Sequence, residues 1–132
     1  MARKKKDNRC RIDIPQTRKM SEVISEFAGD LIRMGDSPGE KQSLLNAACS
    51  AWSIACNLPE LRKKNLDHYM REYQRFNPGA DEQELAGVRS NMEKLIQKKL
   101  EMFPTDLRQI VGATIYPSGG KDRIEIVSAR VG

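Results

Sequence analysis

Cys10, Cys49, Cys56 and His68 are the side chains in this sequence best suited to nucleophilic or metal chemistry. A thiol or hydroxyl nucleophile needs a base within hydrogen-bond reach, and no motif here places His68 against a serine or cysteine. A zinc site needs paired donor spacings, whereas the sequence offers scattered cysteines and a lone histidine. On one helix, Cys49 and Cys56 would stand about 10.5 Å apart along the axis. A disulfide tolerates about 7 Å between α-carbons, so these two cannot bridge each other. They read as buried, reduced thiols. Glu82 and Glu84 pair two carboxylates, but at a helix start, where capping and the helix dipole account for them. No catalytic, cofactor-binding or metal-ligating residue is assigned, and no cofactor is expected.

The basic residues form two groups. Arg3, Lys4, Lys5, Lys6, Arg9 and Arg11 face only Asp7, so residues 1–11 carry the whole net charge of +5 and the remainder balances to zero. Such an arm can touch phosphate non-specifically or stay solvated. Lys64, His68, Arg71 and Arg75 recur at spacings of four, three and four, which puts them on one helical face. A helix-turn-helix reader docks such a face on DNA. Against that, Glu60, Asp67 and Glu72 are placed to pair with Lys64, Arg71 and Arg75 along the helix. The link Asn57-Leu58-Pro59 is also unlike the usual turn of that motif. A solvated amphipathic face is the simpler account.

Ser118-Gly119-Gly120-Lys121-Asp122 resembles the pyrophosphate-binding loop of the ATP-pyrophosphatase family, in which a strand runs through Ser-Gly-Gly-x-Asp-Ser into a helix. The resemblance covers five residues and implies a phosphate or nucleotide bound by backbone N–H groups. The sequence departs from that pattern at Arg123, which stands in place of the final serine. The residues that follow read as strand, and too few remain for the α/β sheet of that family. A hairpin turn explains the same residues.

These groups must be held by secondary structure, and the pattern predicts it in order. Cys10-Arg11-Ile12-Asp13-Ile14 alternates as a short strand stopped by Pro15. Met20, Val23, Ile24, Phe27, Leu31 and Met34 form the stripe of a helix capped by Ser21 and ended by a left-handed Gly35. Ser37-Pro38-Gly39-Glu40 is a capping box opening a mostly buried central helix to about Asn57. Leu58-Pro59 breaks it. Asn57 with Glu60 then caps a third helix bearing Leu61, Leu66, Tyr69, Met70, Tyr73 and Phe76. After the turn Asn77-Pro78-Gly79, Asp81 and Glu84 cap a fourth helix carrying Leu85, Val88, Met92, Leu95, Ile96, Leu100 and Phe103. Lys98 and Lys99 suit its negative end, and Pro104 closes it. Residues 110–116 and 124–129 are β-rich and joined by the turn formers of residues 117–122, a hairpin.

A 39% apolar and 31% charged composition in 132 residues suits one folded domain. The expected fold is mainly α (α+β): about four helices in a bundle with a C-terminal hairpin over about 108–131, and residues 10–14 available as a third short strand. The basic arm is residues 1–11 and the domain residues 12–132. No apolar run approaches the roughly 20 residues that span a bilayer, and no apolar stretch follows the basic N-terminus as in a signal peptide. No membrane partner and a cytoplasmic location are therefore expected. The expected function is a non-catalytic protein-interaction module, with a protein partner or self-association. The alternative is a nucleic-acid-binding accessory that uses the arm and the Lys64, His68, Arg71 and Arg75 stripe. A phosphate- or nucleotide-binding enzyme is the third.

Overall fold

The computed structural model describes residues 18–129. They form α1 (Met20–Ile32), α2 (Pro38–Ala55), α3 (Pro59–Phe76), α4 (Glu82–Met102), β1 (Gln109–Ser118) and β2 (Lys121–Ala129). This is the expected α+β arrangement of four helices and an antiparallel hairpin. The expected strand at residues 10–14 and the basic arm lie outside the described residues. Among those described, no helix is long and apolar enough to cross a membrane.

α2 is the central element, and its composition explains why. Small residues let neighbours approach closely on opposite sides, so α2 serves two cores at once. On one side Leu45, Ala48, Cys49 and Trp52 meet Val23, Ile24, Phe27 and Ile32 of α1 and Ile115 of β1. The Trp52 ring packs edge-on to Phe27 and tilted against Phe103, each centroid 5.5 Å away. On the other side Ala51, Ile54 and Ala55 meet Leu66 of α3 with Met92 and Ile96 of α4.

The capping chemistry is partly as expected. The Ser37 hydroxyl accepts from the Glu40 N–H at 3.1 Å, and the Asp81 carboxylate accepts from the Glu84 N–H at 2.8 Å. The return bonds differ. Glu40 accepts from the N–H of Asp36 at 2.6 Å, while Glu84 accepts from the Tyr73 hydroxyl at 2.9 Å and so ties α3 to α4. Ser21 is not a cap; Lys19 precedes α1 with no side-chain bond. Nor do Asn57 and Glu60 cap α3. Leu58 occupies that position, and Pro59 presets the first helical residue without a polar cap. α2 stops at Ala55 rather than Asn57.

Other features differ from the sequence pattern. Gly35 does not end α1 in a left-handed conformation, since among the described glycines only Gly119 and Gly120 have positive φ. Gly35 is buried instead, and a β-carbon there would stand 2.9 Å from the Lys41 backbone nitrogen. Met34 lies beyond the end of α1 and is exposed. On α3, Leu61 is exposed and Phe76 is 71% exposed, because this outer helix buries only Leu66 fully. Phe103 is buried as expected, but just past the end of α4.

The hairpin turn is shorter than the six-residue loop expected from residues 117–122. Ser118 pairs with Lys121, so Gly119 and Gly120 alone make the turn, with φ of 59° and 81°. Two positive φ values are the signature of a type I′ turn, which matches strand twist and favours glycine. Ile115 pairs with Ile124 and Ala113 with Ile126 on the core side, and a bulge at Val111 shifts the register.

Replacing Gly35 with alanine should destabilise the fold by about 1–3 kcal/mol through overpacking against backbone. Gly87→Ala on the open face of α4, where an added β-carbon meets nothing within 4 Å, should instead stabilise by about 0.5–1 kcal/mol. Urea midpoints of the two variants, read by helical circular dichroism, should move in opposite directions.

Candidate functional site

The two edges of the hairpin are treated differently by the rest of the chain. β1 lies along α2, and α2 spends polar side chains on it. The Trp52 indole N–H donates to the Arg108 carbonyl at 2.8 Å, and the Ser53 hydroxyl accepts from the Ile110 N–H at 3.3 Å. Gln42 does both jobs, donating to the Ala113 carbonyl and accepting from the Ile115 N–H, each at 3.0 Å. Its carboxamide stands in for a residue of a neighbouring strand. The β1 edge is sealed.

The β2 edge is not. In an antiparallel ladder successive residues turn their backbone groups to alternate sides. Gln42 engages Ala113 and Ile115, so Gly112, Thr114 and Tyr116 face β2. Their partners Val127, Glu125 and Arg123 face back towards β1. Asp122, Ile124, Ile126 and Ser128 therefore direct N–H and C=O groups outward. Among the described residues, nothing outside the hairpin bonds to those backbone groups. A groove of about 470 Å³ lies beside the first half of the strand, between residues 121–124 and Ser21, Glu22 and Ser25 of α1.

The hairpin's outer face is solvent-exposed and partly apolar. Val111 is 66% and Val127 61% exposed, beside Arg123 and Glu125. Tyr116 donates its hydroxyl to Glu125 at 2.8 Å, and that bond holds the phenol above its usual pKa. At the tip, Asp122 pairs with Lys41 of α2 at 2.7 Å. The resemblance of residues 118–122 to a pyrophosphate loop thus has no structural counterpart, because the segment joins strand to strand and not strand to helix.

Lys64, His68, Arg71 and Arg75 are placed along α3, where this face turns away from both cores. The expected intrahelical pairing forms only at Arg75, which meets Glu72 at 3.2 Å and lies over the Phe76 ring. Asp67 turns to Arg89 of α4 at 2.6 Å and to Lys63 at 3.4 Å, not to Arg71. The Arg89 hydrogen bond is the main cause of its lowered pKa. Glu60 makes no pair with Lys64. Among the described residues Lys64, His68 and Arg71 thus form no ion pair. Arg71 lines a groove of about 390 Å³ between α3 and α4. Arg3, Lys4, Lys5, Lys6, Arg9 and Arg11 lie outside the described residues.

A buried ionic cluster has no counterpart among the sequence expectations. Lys99, expected to serve the dipole of α4, is 1% exposed, and Asp106 in the following loop is 0% exposed. The Lys99 ammonium donates to the Asp106 carbonyl at 2.7 Å and stands 4.9 Å from the Trp52 ring centroid. The Asp106 carboxylate accepts from Arg108 at Nη2 (2.6 Å), Nε (3.0 Å) and the backbone N–H (3.2 Å). Arg108 in turn donates to the Arg18 carbonyl at 2.8 Å. The Cys56 thiol lies 3.7 Å from the carbonyls of Asp106 and Arg108. Burial lowers the pKa of Lys99 and raises that of Cys56, and it pushes Cys49 up to about 12. Protonated thiols are poor nucleophiles, so these surroundings suit structure better than reaction. The available signal was positional: Lys99 continues the Met92, Ile96, Phe103 stripe, where an apolar residue belongs.

His68 stands on the outer face of α3, while both described cysteines are free and sit on or beside α2. Among the described residues no group of three His, Cys, Asp or Glu side chains could hold a metal ion. No family model, curated protein or solved structure matches this chain.

Removing one member of a buried ion pair strands its partner, so Asp106→Ala should cost about 3–5 kcal/mol. Asp122→Ala breaks a pair that is about one-quarter to one-third exposed and should cost about 0–1 kcal/mol. Urea unfolding at neutral pH checks both. Equal losses would show that the buried cluster has no special weight.

Proposed function

We propose that this chain is a non-catalytic protein-interaction module that recognises an extended strand through the outer edge of β2. The observation that carries the reading is the asymmetry between the two edges. An unpaired strand edge is a template for another strand, and folded proteins cover or blunt it unless it is used. Three side chains of α2 bond the backbone at and beside β1, whereas among the described residues the backbone edge of β2 receives none and α2 reaches only the Asp122 side chain through Lys41. The exposed Val111 and Val127 on the adjacent face add apolar surface at the place where a partner's side chains would lie. The buried ionic cluster and high-pKa thiols support a structural rather than a reactive interior.

The probe is a displayed library of extended eight-residue peptides with alternating apolar positions. Peptides selected on the native chain should shift the amide signals of Ile124, Ile126 and Ser128. Ser128→Pro removes one outward N–H without touching the β1 ladder and should weaken them about tenfold. Selected peptides that perturb only α3, or a Ser128→Pro variant that binds them undiminished, would refute strand addition at this edge.

A second reading, a nucleic-acid accessory, is supported by the unpaired Lys64, His68 and Arg71 on one outer face. On that reading a labelled single-stranded oligonucleotide should bind with an affinity that falls steeply between about 50 and 200 mM salt. Changing Lys4, Lys5 and Lys6 to glutamine should flatten the slope by about 0.7 for each phosphate of a single strand that is no longer neutralised. Fluorescence anisotropy checks this, and a salt-independent or absent signal removes the reading.

A further inference from the structure

We infer that the strand received by the β2 edge is β2 of a second copy of this chain, paired antiparallel about Ile124 into a four-stranded sheet. This rests on the strand-addition reading above and names its partner. The charge pattern of the strand distinguishes the two-fold registers centred on residues 123 to 127.

A two-fold axis places residue i of one strand opposite residue j of the other, with the sum of the two numbers fixed. The outward-facing residues Asp122, Ile124, Ile126 and Ser128 must oppose one another for hydrogen bonds to form. Centring on Glu125 puts that carboxylate directly opposite its own copy; centring on Arg123 does the same for a guanidinium at the axis, although it sets Lys121 against Glu125. Like charges directly opposite destabilise a pair of strands. Centring on Ile126 sets Glu125 against Val127 and Arg123 against Ala129, so both charges face apolar side chains. Centring on Val127 removes most of the overlap.

Centring on Ile124 is different. Arg123 of each copy then opposes Glu125 of the other, giving two cross-strand ion pairs related by the axis. Ile124 meets its own copy on the core side, and the stem of Lys121 lies across Val127. The overlap runs from residue 121 to residue 127 on both chains. A groove borders residues 121–124 on the side of Ser21, Glu22 and Ser25 of α1. Charge complementarity thus selects this register.

The test is a charge exchange in the full chain, read by sedimentation equilibrium and by amide exchange of β2. The native chain should dimerise. Arg123→Glu alone and Glu125→Arg alone should each weaken the dimer about tenfold, since each creates two like-charge pairs. The double variant Arg123→Glu/Glu125→Arg should recover native affinity to within about threefold, since the pairs re-form with the signs exchanged. Both side chains are exposed, and helical circular dichroism confirms that each variant is folded. A dimer indifferent to these changes, or a double variant as weak as the singles, overturns the register. A chain that stays monomeric at millimolar concentration overturns the second copy, while peptide binding at the same edge would leave strand addition standing. A monomer whose Ile124 and Ile126 amides are protected, with protection lost in Ile12→Asp/Ile14→Asp, assigns the edge to residues 10–14 of the same chain and also overturns it.

Discussion

The ammonium of Lys99, enclosed beneath the Trp52 ring and bonded to the Asp106 carbonyl, fixes the place where helix gives way to sheet. A buried cation of this kind is stable only if the surroundings supply oxygen and π-density, because desolvation costs several kcal/mol per ion. The segment after α4 supplies the oxygen by folding back over α2, whose Trp52 supplies the ring. Asp106 contributes its carbonyl to Lys99 and its carboxylate to Arg108, and Arg108 reaches on to the carbonyl of Arg18 before α1. One short loop therefore ties together the end of α4, the beginning of β1 and the entrance to α1. The Asp106 carboxylate takes three bonds, so its own burial is compensated.

From that anchor the asymmetry of the hairpin follows. The Arg108 carbonyl is held by the indole N–H of Trp52 just where β1 begins, which lays β1 alongside α2. Ser53 and Gln42 then meet the backbone of β1 at intervals along its length. Strand β2 is carried on the far side of β1, where α2 reaches only the Asp122 side chain at the tip, through Lys41. Its core face rests on α1 through Ile124 and Ile126, but its hydrogen-bonding edge faces out. The open edge is thus a consequence of where the sheet is pinned.

Local chemistry was legible in the sequence wherever the physics is local. Ser37 with Pro38, Asp81 ahead of α4, and Gly119-Gly120 act on residues within one turn of themselves, and each does what its type dictates. The apolar stripes of α1 and α4 were legible because burial on one face imposes a period. Choices settled across the fold were not legible. Asp67 had Arg71 within reach on its own helix and took Arg89 on another. Gln42 seals a strand whose Ala113 lies 71 residues away. Leu61 and Phe76 lie on an amphipathic helix whose neighbours do not extend over them. Lys99 has the sequence position of a surface cation at a helix end, until Asp106, seven residues on, folds over it. A charged residue within an apolar stripe is the one trace such a cluster leaves in a sequence.

An exposed strand edge invites indiscriminate pairing, and this edge carries its own restraint. Lys121, Arg123 and Glu125 alternate along β2 on the side away from the core, so a neutral apolar strand laid beside them leaves each charge unmatched and partly desolvated. The cost is small for any one residue but falls on every register that fails to answer the pattern. A strand that presents a carboxylate opposite Arg123 and a guanidinium opposite Glu125 avoids it. β2 itself carries that arrangement when it is reversed about Ile124, since reversal brings position 123 to position 125. On the pairing proposed above, the residues that keep the edge from sticking are the same ones that would define what it accepts. Specificity here needs no pocket, only two opposite charges spaced one residue either side of a hydrogen-bonding position.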